Sequence, residues 1–219
     1  MLEIKNWAVY DLEESVIACR NAMRLEMPEY TEEEFEASLP RAIQLCKTPN
    51  GSGHQTFLSG IRVSFDIKYP NYISPELQRY HWIDIVTSSS KMHKLLKMDI
   101  DKACNKYVTA KSIKEMQTLI DDYNTMEKNN TTHGVFFLRD GSRIEVNTHK
   151  ACMYYQWMKI ISTCPQGIEL FMRVSTNYLQ LKTIAKQRKN HRLREDWDAM
   201  LDFISELPYS KEFGLCSKD

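Results

Sequence analysis

The chain has no net charge to work with. Its 29 Lys and Arg balance 29 Asp and Glu over 219 residues, which excludes a whole-molecule field for holding a nucleic-acid backbone or an anionic membrane. Any anion site must therefore be local. There is no CxxC pair and no Cys/His cluster at zinc spacing, so no metal site is expected. The six cysteines, Cys19, Cys46, Cys104, Cys152, Cys164 and Cys216, are scattered. In a chain too long to need disulfide staples they read as reduced thiols of a cytoplasmic protein. No uninterrupted apolar run approaches about 18 residues, and "MLEIKNWAVYDLEESV" has no basic flank leading into an apolar stretch. Neither a membrane span nor an export leader is expected. Glycine is scarce, at seven. Where three gather, in "PNGSGHQTFLSG", a backbone constraint is expected.

What is present is a mixed order of helices and strands without repeats, which argues a single α+β domain over residues 1–219. Glu3 to Tyr10 and "IRVSFDIKY" read as strands. Asp11 with Glu14, and Thr31 with Glu34, have capping-box spacing before helical stretches. Pro40 is expected to divide or kink the second of these helices. "SPELQRYHWIDIVTSSSKMHKLLKMD" reads as helical on both sides of an interruption at "TSSS". "SIKEMQTLIDDYNTMEKNN" and "HKACMYYQWMKIIST" read as helices, Asp140-Gly141 as a hairpin turn, and "GIELFMRVS" as a strand. A last helix is expected near Glu195 to Leu207.

Three segments carry chemistry. In "TNYLQLKTIAKQRKNHRLREDW" an ordered amphipathic stretch ends in Lys186, Arg188, Lys189, His191, Arg192 and Arg194. Charges at a helix end are ordinarily solvated, and Asn177 suits a helix N-cap. "TSSS" followed by Lys91 supplies hydroxyls and a cation ahead of a helix, either a capping turn or an anion cradle. His54 in the glycine-rich stretch is either a ligand contact or a residue bonding that turn.

Taken together the segments resemble the flavin-dependent thymidylate synthases. "GHQTFLSGIRVSFDI" is similar to that family's Gly-His-x-Ser-x-x-Glu-His block with a Phe five positions on. Gly53, His54, Thr56 and Phe65 are in register, while Ser59 and Gly60 replace the Glu-His pair. "ELQRYHWIDIVTSSSKM" resembles the Arg-His-Arg signature. Arg79, Ser89 and Lys91 match, Tyr80 and His81 replace His-Arg, and Val86 and Thr87 replace Asn-Glu. The basic segment is similar to the third block through Asn177, Leu181 and Arg188, with Leu179 in place of an Arg.

The resemblance implies an α+β fold with a central sheet and flanking helices, and a homotetramer whose sites draw on more than one subunit. It also implies a nucleotide whose phosphate lies against Ser89, Lys91 and Arg188. His54, Thr56, Arg79 and Asn177 complete the expected ligand-binding set. No catalytic residue is assigned. FAD is the cofactor the resemblance implies, but the replaced signature residues fall on the flavin and folate sides, so the expectation is a nucleotide-binding protein without stoichiometric flavin. Such a protein would sequester or hand on a nucleotide or nucleotide-like molecule, as a phage-type anti-defence protein would. The alternatives are a divergent FAD-dependent enzyme methylating dUMP, and an inhibitor of a host protein with a vestigial pocket.

Overall fold

The computed structural model describes residues 2–49 and 51–216, which group into two compact units. The first holds residues up to Tyr69, then Ile73–Ser89, then Leu170 onward. Its frame is a four-stranded sheet of order β1-β2-β6-β3, made of β1 (Glu3–Tyr10), β2 (Arg62–Pro70), β3 (Asp84–Ser88) and β6 (Glu169–Asn177). β1 runs antiparallel to β2, with Glu3 opposite Lys68 and Tyr10 opposite Arg62. The register slips between Lys5 and Ala8, where Asn6 takes a φ of 52° and its amide donates to Asp66 at 2.7 Å. An extra residue at a bulge favours such left-handed backbone, which Asn tolerates.

Alternation in β2 does what its sequence expects. Val63, Phe65, Ile67 and Tyr69 are buried, and the residues between them are more open, because successive strand side chains point to opposite faces. Leu170, Met172 and Val174 of β6 are buried in the same alternating way. Around this sheet lie α1 (Leu12–Ala18), α2 (Glu32–Cys46), α3 (Ser74–Leu77), α8 (Tyr178–Arg188) and α9 (Arg194–Glu206). Trp197, Tyr178, Phe65 and Phe213 are the largest side chains fully removed from solvent.

The second unit holds Pro70–Tyr72 and Ser90–Glu169. It comprises the one-turn helices α4 (Lys91–Lys94) and α5 (Ile100–Ala103), the long helices α6 (Ala110–Lys128) and α7 (His149–Thr163), and the hairpin β4 (Gly134–Phe137) with β5 (Arg143–Val146). Leu95, Ile100, Met116, Ile120, Ile160 and Ile168 form its core. The hairpin turns at Gly141, whose φ of 84° a side chain would resist.

Three local expectations are corrected. Residues Asp84–Ser88 form an edge strand rather than helix. Ile85, Val86 and Thr87 are β-branched, and Asp84, Ile85, Thr87 and Ser88 pair with β6, with a register shift at Val86. Asp11 takes left-handed backbone and its side chain caps nothing, so only its carbonyl receives the first turn. Pro40 sits inside α2, a single helix over Glu32–Cys46. It is solvent-exposed, which leaves the carbonyl freed by the missing N–H open to water. Thr31 caps this helix as expected, accepting from the Glu34 N–H at 3.2 Å.

Among the described residues no helix is long and apolar enough to cross a membrane, and no group of three His, Cys, Asp or Glu is placed to hold a metal.

Candidate functional site

The glycine-rich stretch builds one wall of a cleft in the first unit. Gly53, at a φ of 82°, turns the chain so that Thr56 Oγ1 donates to the Gly53 carbonyl at 2.5 Å, and a single 3-10 turn follows over Thr56–Ser59. Buried Gln55 ties this turn to the end of α2 by donating to the carbonyls of Cys46 (3.3 Å) and Thr48 (2.6 Å). The opposite walls come from the end of α1 and the outer face of α2.

The cleft has a volume of about 1130 Å³ and is lined by Arg20, Arg41, Cys19, His54 and Thr56 among others. Arg41 reaches only the neutral Gln44, at 3.4 Å. The Arg20 side chain makes no ion pair or hydrogen bond among the described residues, and neither does that of His54. Arg24 nearby is already paired with Glu34. Two guanidinium groups without carboxylate partners beside an open volume form an anion-attracting wall. Cys19 is not activated toward thiolate there. Burial pushes its thiol up, against the pull of Arg41, Arg20 and Arg24, so it stays protonated near neutral pH.

Gly60 closes the turn with no room to spare. A Cβ at this position would lie 2.3 Å from Ser15 Oγ and 3.2 Å from the Phe57 carbonyl oxygen, so α1 occupies the space a side chain would need. Gly60→Ala is expected to cost about 1–3 kcal/mol of stability through overpacking. Ser15→Ala in the same chain should restore a good part of it by removing the oxygen in the way. Denaturant melts of the single and double variants measure this, and equal midpoints for wild type and Gly60→Ala would contradict it.

Arg188 has a different setting. Its Nε donates to the Tyr80 hydroxyl at 2.6 Å, and its Nη1 lies 2.8 Å from Glu76 Oε2 and 3.0 Å from His191 Nε2. The guanidinium carbon stands 4.3 Å from the centre of the Trp197 ring. Trp197 in turn donates its indole N–H to the same Glu76 oxygen at 3.1 Å. Arg188 is therefore an oriented, internally compensated cation, and Nη2 is the end left without a protein partner among the described residues. Burial pushes the Tyr80 hydroxyl up, which keeps it neutral and suited to accept from Arg188.

The other sequence-predicted residues are placed as follows. Asn177 is 3% exposed and caps α8, accepting from the Gln180 N–H at 2.9 Å. Ser89 extends the pairing of β3 with β6. Its N–H donates to the Phe171 carbonyl at 2.8 Å, and its Oγ accepts from the Phe171 N–H at 3.0 Å. Arg79 is exposed after α3. Lys91 belongs to the second unit, where its ammonium donates to Asn71 Oδ1 at 3.1 Å. Within the first unit, His54 and Thr56 share one cleft, while Arg188 stands in a separate cluster built on Glu76. Sequence reasoning missed Arg20, Arg41 and Glu76, none of which carries a local spacing signal.

No protein-family model matches the chain, and no curated protein matches it. Among solved structures it is similar to flavin-dependent thymidylate synthase ThyX from Helicobacter pylori complexed with FAD and dUMP. That likeness has 15% identity and a TM-score of 0.62 over 99% of each chain. A second structure of thymidylate synthase X from the same organism, with FAD and dUMP, has 14% identity and a TM-score of 0.61 over 100% of each chain. The fold is that of flavin-dependent thymidylate synthase, at a wide sequence divergence.

Proposed function

We propose that the chain works as one thymidylate synthase-like domain over residues 1–219 that binds a nucleotide without carrying out flavin-dependent methylation. The observation behind this reading is the cleft in which Arg20 and Arg41, free of carboxylate partners, stand beside His54 and Thr56. Planar guanidinium groups meet phosphate oxygens two at a time, and a cleft of about 1130 Å³ lies just above the range of roughly 300–1,000 Å³ typical of small-molecule sites. Structures of similar fold carry FAD and dUMP, which supports a nucleotide as the ligand class.

The residues present do not fit a tightly held flavin. Where the family pattern has its second His, Gly60 stands with α1 filling the side chain's space. Tyr80, in place of the signature His, has its hydroxyl occupied by Arg188. Leu179, in place of an Arg, offers no charge-assisted bond, each of which contributes about 1.5–3 kcal/mol. Sequestering or handing on the nucleotide, in a phage-type anti-defence setting, is the finer part of the same proposal, as are assembly into a homotetramer and a cytoplasmic location.

Calorimetry with dUMP, other mononucleotides and cyclic dinucleotides tests the reading. At least one is expected to bind the wild type. Arg41→Ala should weaken that binding by about 1.5–3 kcal/mol, roughly tenfold or more. Its melting temperature should barely move, because Arg41 is exposed. Absence of nucleotide binding, or unchanged affinity in the variant, sinks the proposal. A flavin absorbance band that survives dialysis would put the enzyme reading first.

A further inference from the structure

A second, smaller cavity lies against α8 and shares no lining residue with the Arg20/Arg41 cleft. Its volume is about 300 Å³, and Lys182, Lys186 and Lys189 line it together with Leu201, Gly214 and Cys216. Lys182 and Lys186, four apart, share one face of α8, and Lys189 follows as its C-cap residue, so the end of α8 brings three lysines to one small space.

Lys182 is the unusual member. It is only 9% exposed, and its Nζ donates to the Cys46 carbonyl at 3.0 Å and the Phe213 carbonyl at 2.9 Å. An ammonium has three protons to donate. Two are taken by neutral carbonyls, and no acceptor among the described residues takes the third. Buried charges are ordinarily matched by an opposite charge, because taking an ion out of water costs several kcal/mol. None of the residues lining this cavity is acidic. Lys186 and Lys189, both exposed, add charge of the same sign and form no ion pair among the described residues. Burial draws the Lys182 ammonium below its ordinary range, as expected for a desolvated cation without a countercharge. The unbalanced positive charge and the unfilled space coincide.

We propose that this cavity is an anion site that takes a phosphate group, as the free ion or as the head of a small phosphorylated metabolite. Lys182 serves as the buried contact, and Lys186 and Lys189 close over the outer oxygens. The volume is at the small end of ligand sites, which run from roughly 300 Å³ upward. Leu201 and Leu215 on the walls lower the local dielectric and strengthen the attraction.

The test is a thermal melt of the full chain in sodium phosphate against sodium chloride at matched ionic strength, paired with calorimetric titration of inorganic phosphate and of glycerol 3-phosphate. Phosphate is expected to raise the melting midpoint by a few degrees, with one site in the titration. Lys186→Ala with Lys189→Ala changes only exposed residues and should abolish the shift while leaving the melt in chloride unchanged. Lys182→Met should also abolish it, with a lower melt in chloride, since the Cys46 and Phe213 carbonyls lose their donor. Arg20→Ala with Arg41→Ala should leave the phosphate response intact, which separates this site from the nucleotide cleft. Tighter binding of glycerol 3-phosphate identifies a metabolite site, and equal affinities a site for the free ion. A wild type that does not respond to phosphate, or a response that survives in both lysine variants, overturns the proposal.

Discussion

Trp197→Ala is expected to destabilise the protein by about 3–5 kcal/mol, the usual cost of emptying a buried tryptophan site. For a chain of this size that lowers the melting temperature by about 6–20 °C, at roughly 2–4 °C per kcal/mol. Trp197 is 0% exposed and joins elements distant in sequence. Its ring carries the Arg188 guanidinium at 4.3 Å, meets Tyr80 edge-on at 6.5 Å between centroids, and stands 5.9 Å from the His191 ring. Its N–H satisfies Glu76. Trp197→Phe keeps most of the packing but leaves that Glu76 oxygen one donor short, so its loss should be clearly smaller. Melts followed by circular dichroism separate the two, and a fall of only a degree or two in the alanine variant would refute the keystone role.

Glu76→Ala is expected to cost about 3 kcal/mol, at the lower end of what breaking a buried ion pair costs. The lower end applies because the Glu76 and Arg188 side chains retain 25% and 14% of their exposure, so water screens part of the loss. The truncation leaves the Arg188 charge uncompensated and orphans the Trp197 indole N–H in one step. Glu76→Gln keeps an acceptor for the indole and should lose less. Replacing both partners, Glu76→Ala with Arg188→Leu, should recover a large part of the single-variant loss, since a buried pair exchanged for apolar groups is often close to neutral. A double-mutant cycle in denaturant measures the coupling. A double variant no more stable than Glu76→Ala alone would show that Arg188 is held by its stacking and not by the carboxylate.

This cluster also shows why the basic run at the end of α8 reads differently in sequence and in structure. From sequence, Arg188 is a family-matched cation on a helix end, expected to face a phosphate. In the fold its charge meets Glu76, which lies beside the matched Arg79 but is not itself a matched position, and its orientation comes from Tyr80, 108 positions earlier. Tyr80 fills a place where the family pattern has a histidine. The neutral Tyr80 hydroxyl accepts from a guanidinium that a protonated imidazole would repel.

The parts legible in the sequence are those whose cause spans a few residues. Thr31 and Asn177 cap helices because their side-chain oxygens reach an N–H three positions on. Asp140-Gly141 turns the hairpin because a glycine without Cβ accepts positive φ. β2 alternates because one face of its sheet is buried. Three blocks in order were enough to point to the fold. Tertiary structure alone decided that Asp84–Ser88 is a strand, since the hydrogen bonds that make it one come from β6, as with Ser89 and Phe171, 82 positions apart. It alone brought Arg20 to Arg41 by packing α1 on α2, placed α1 in the space a side chain at Gly60 would need, and buried Lys182 against two carbonyls. Local rules set which backbone groups find partners nearby. Which charges find a countercharge, and which face an open cleft without one, depends on what packing brings together across the chain.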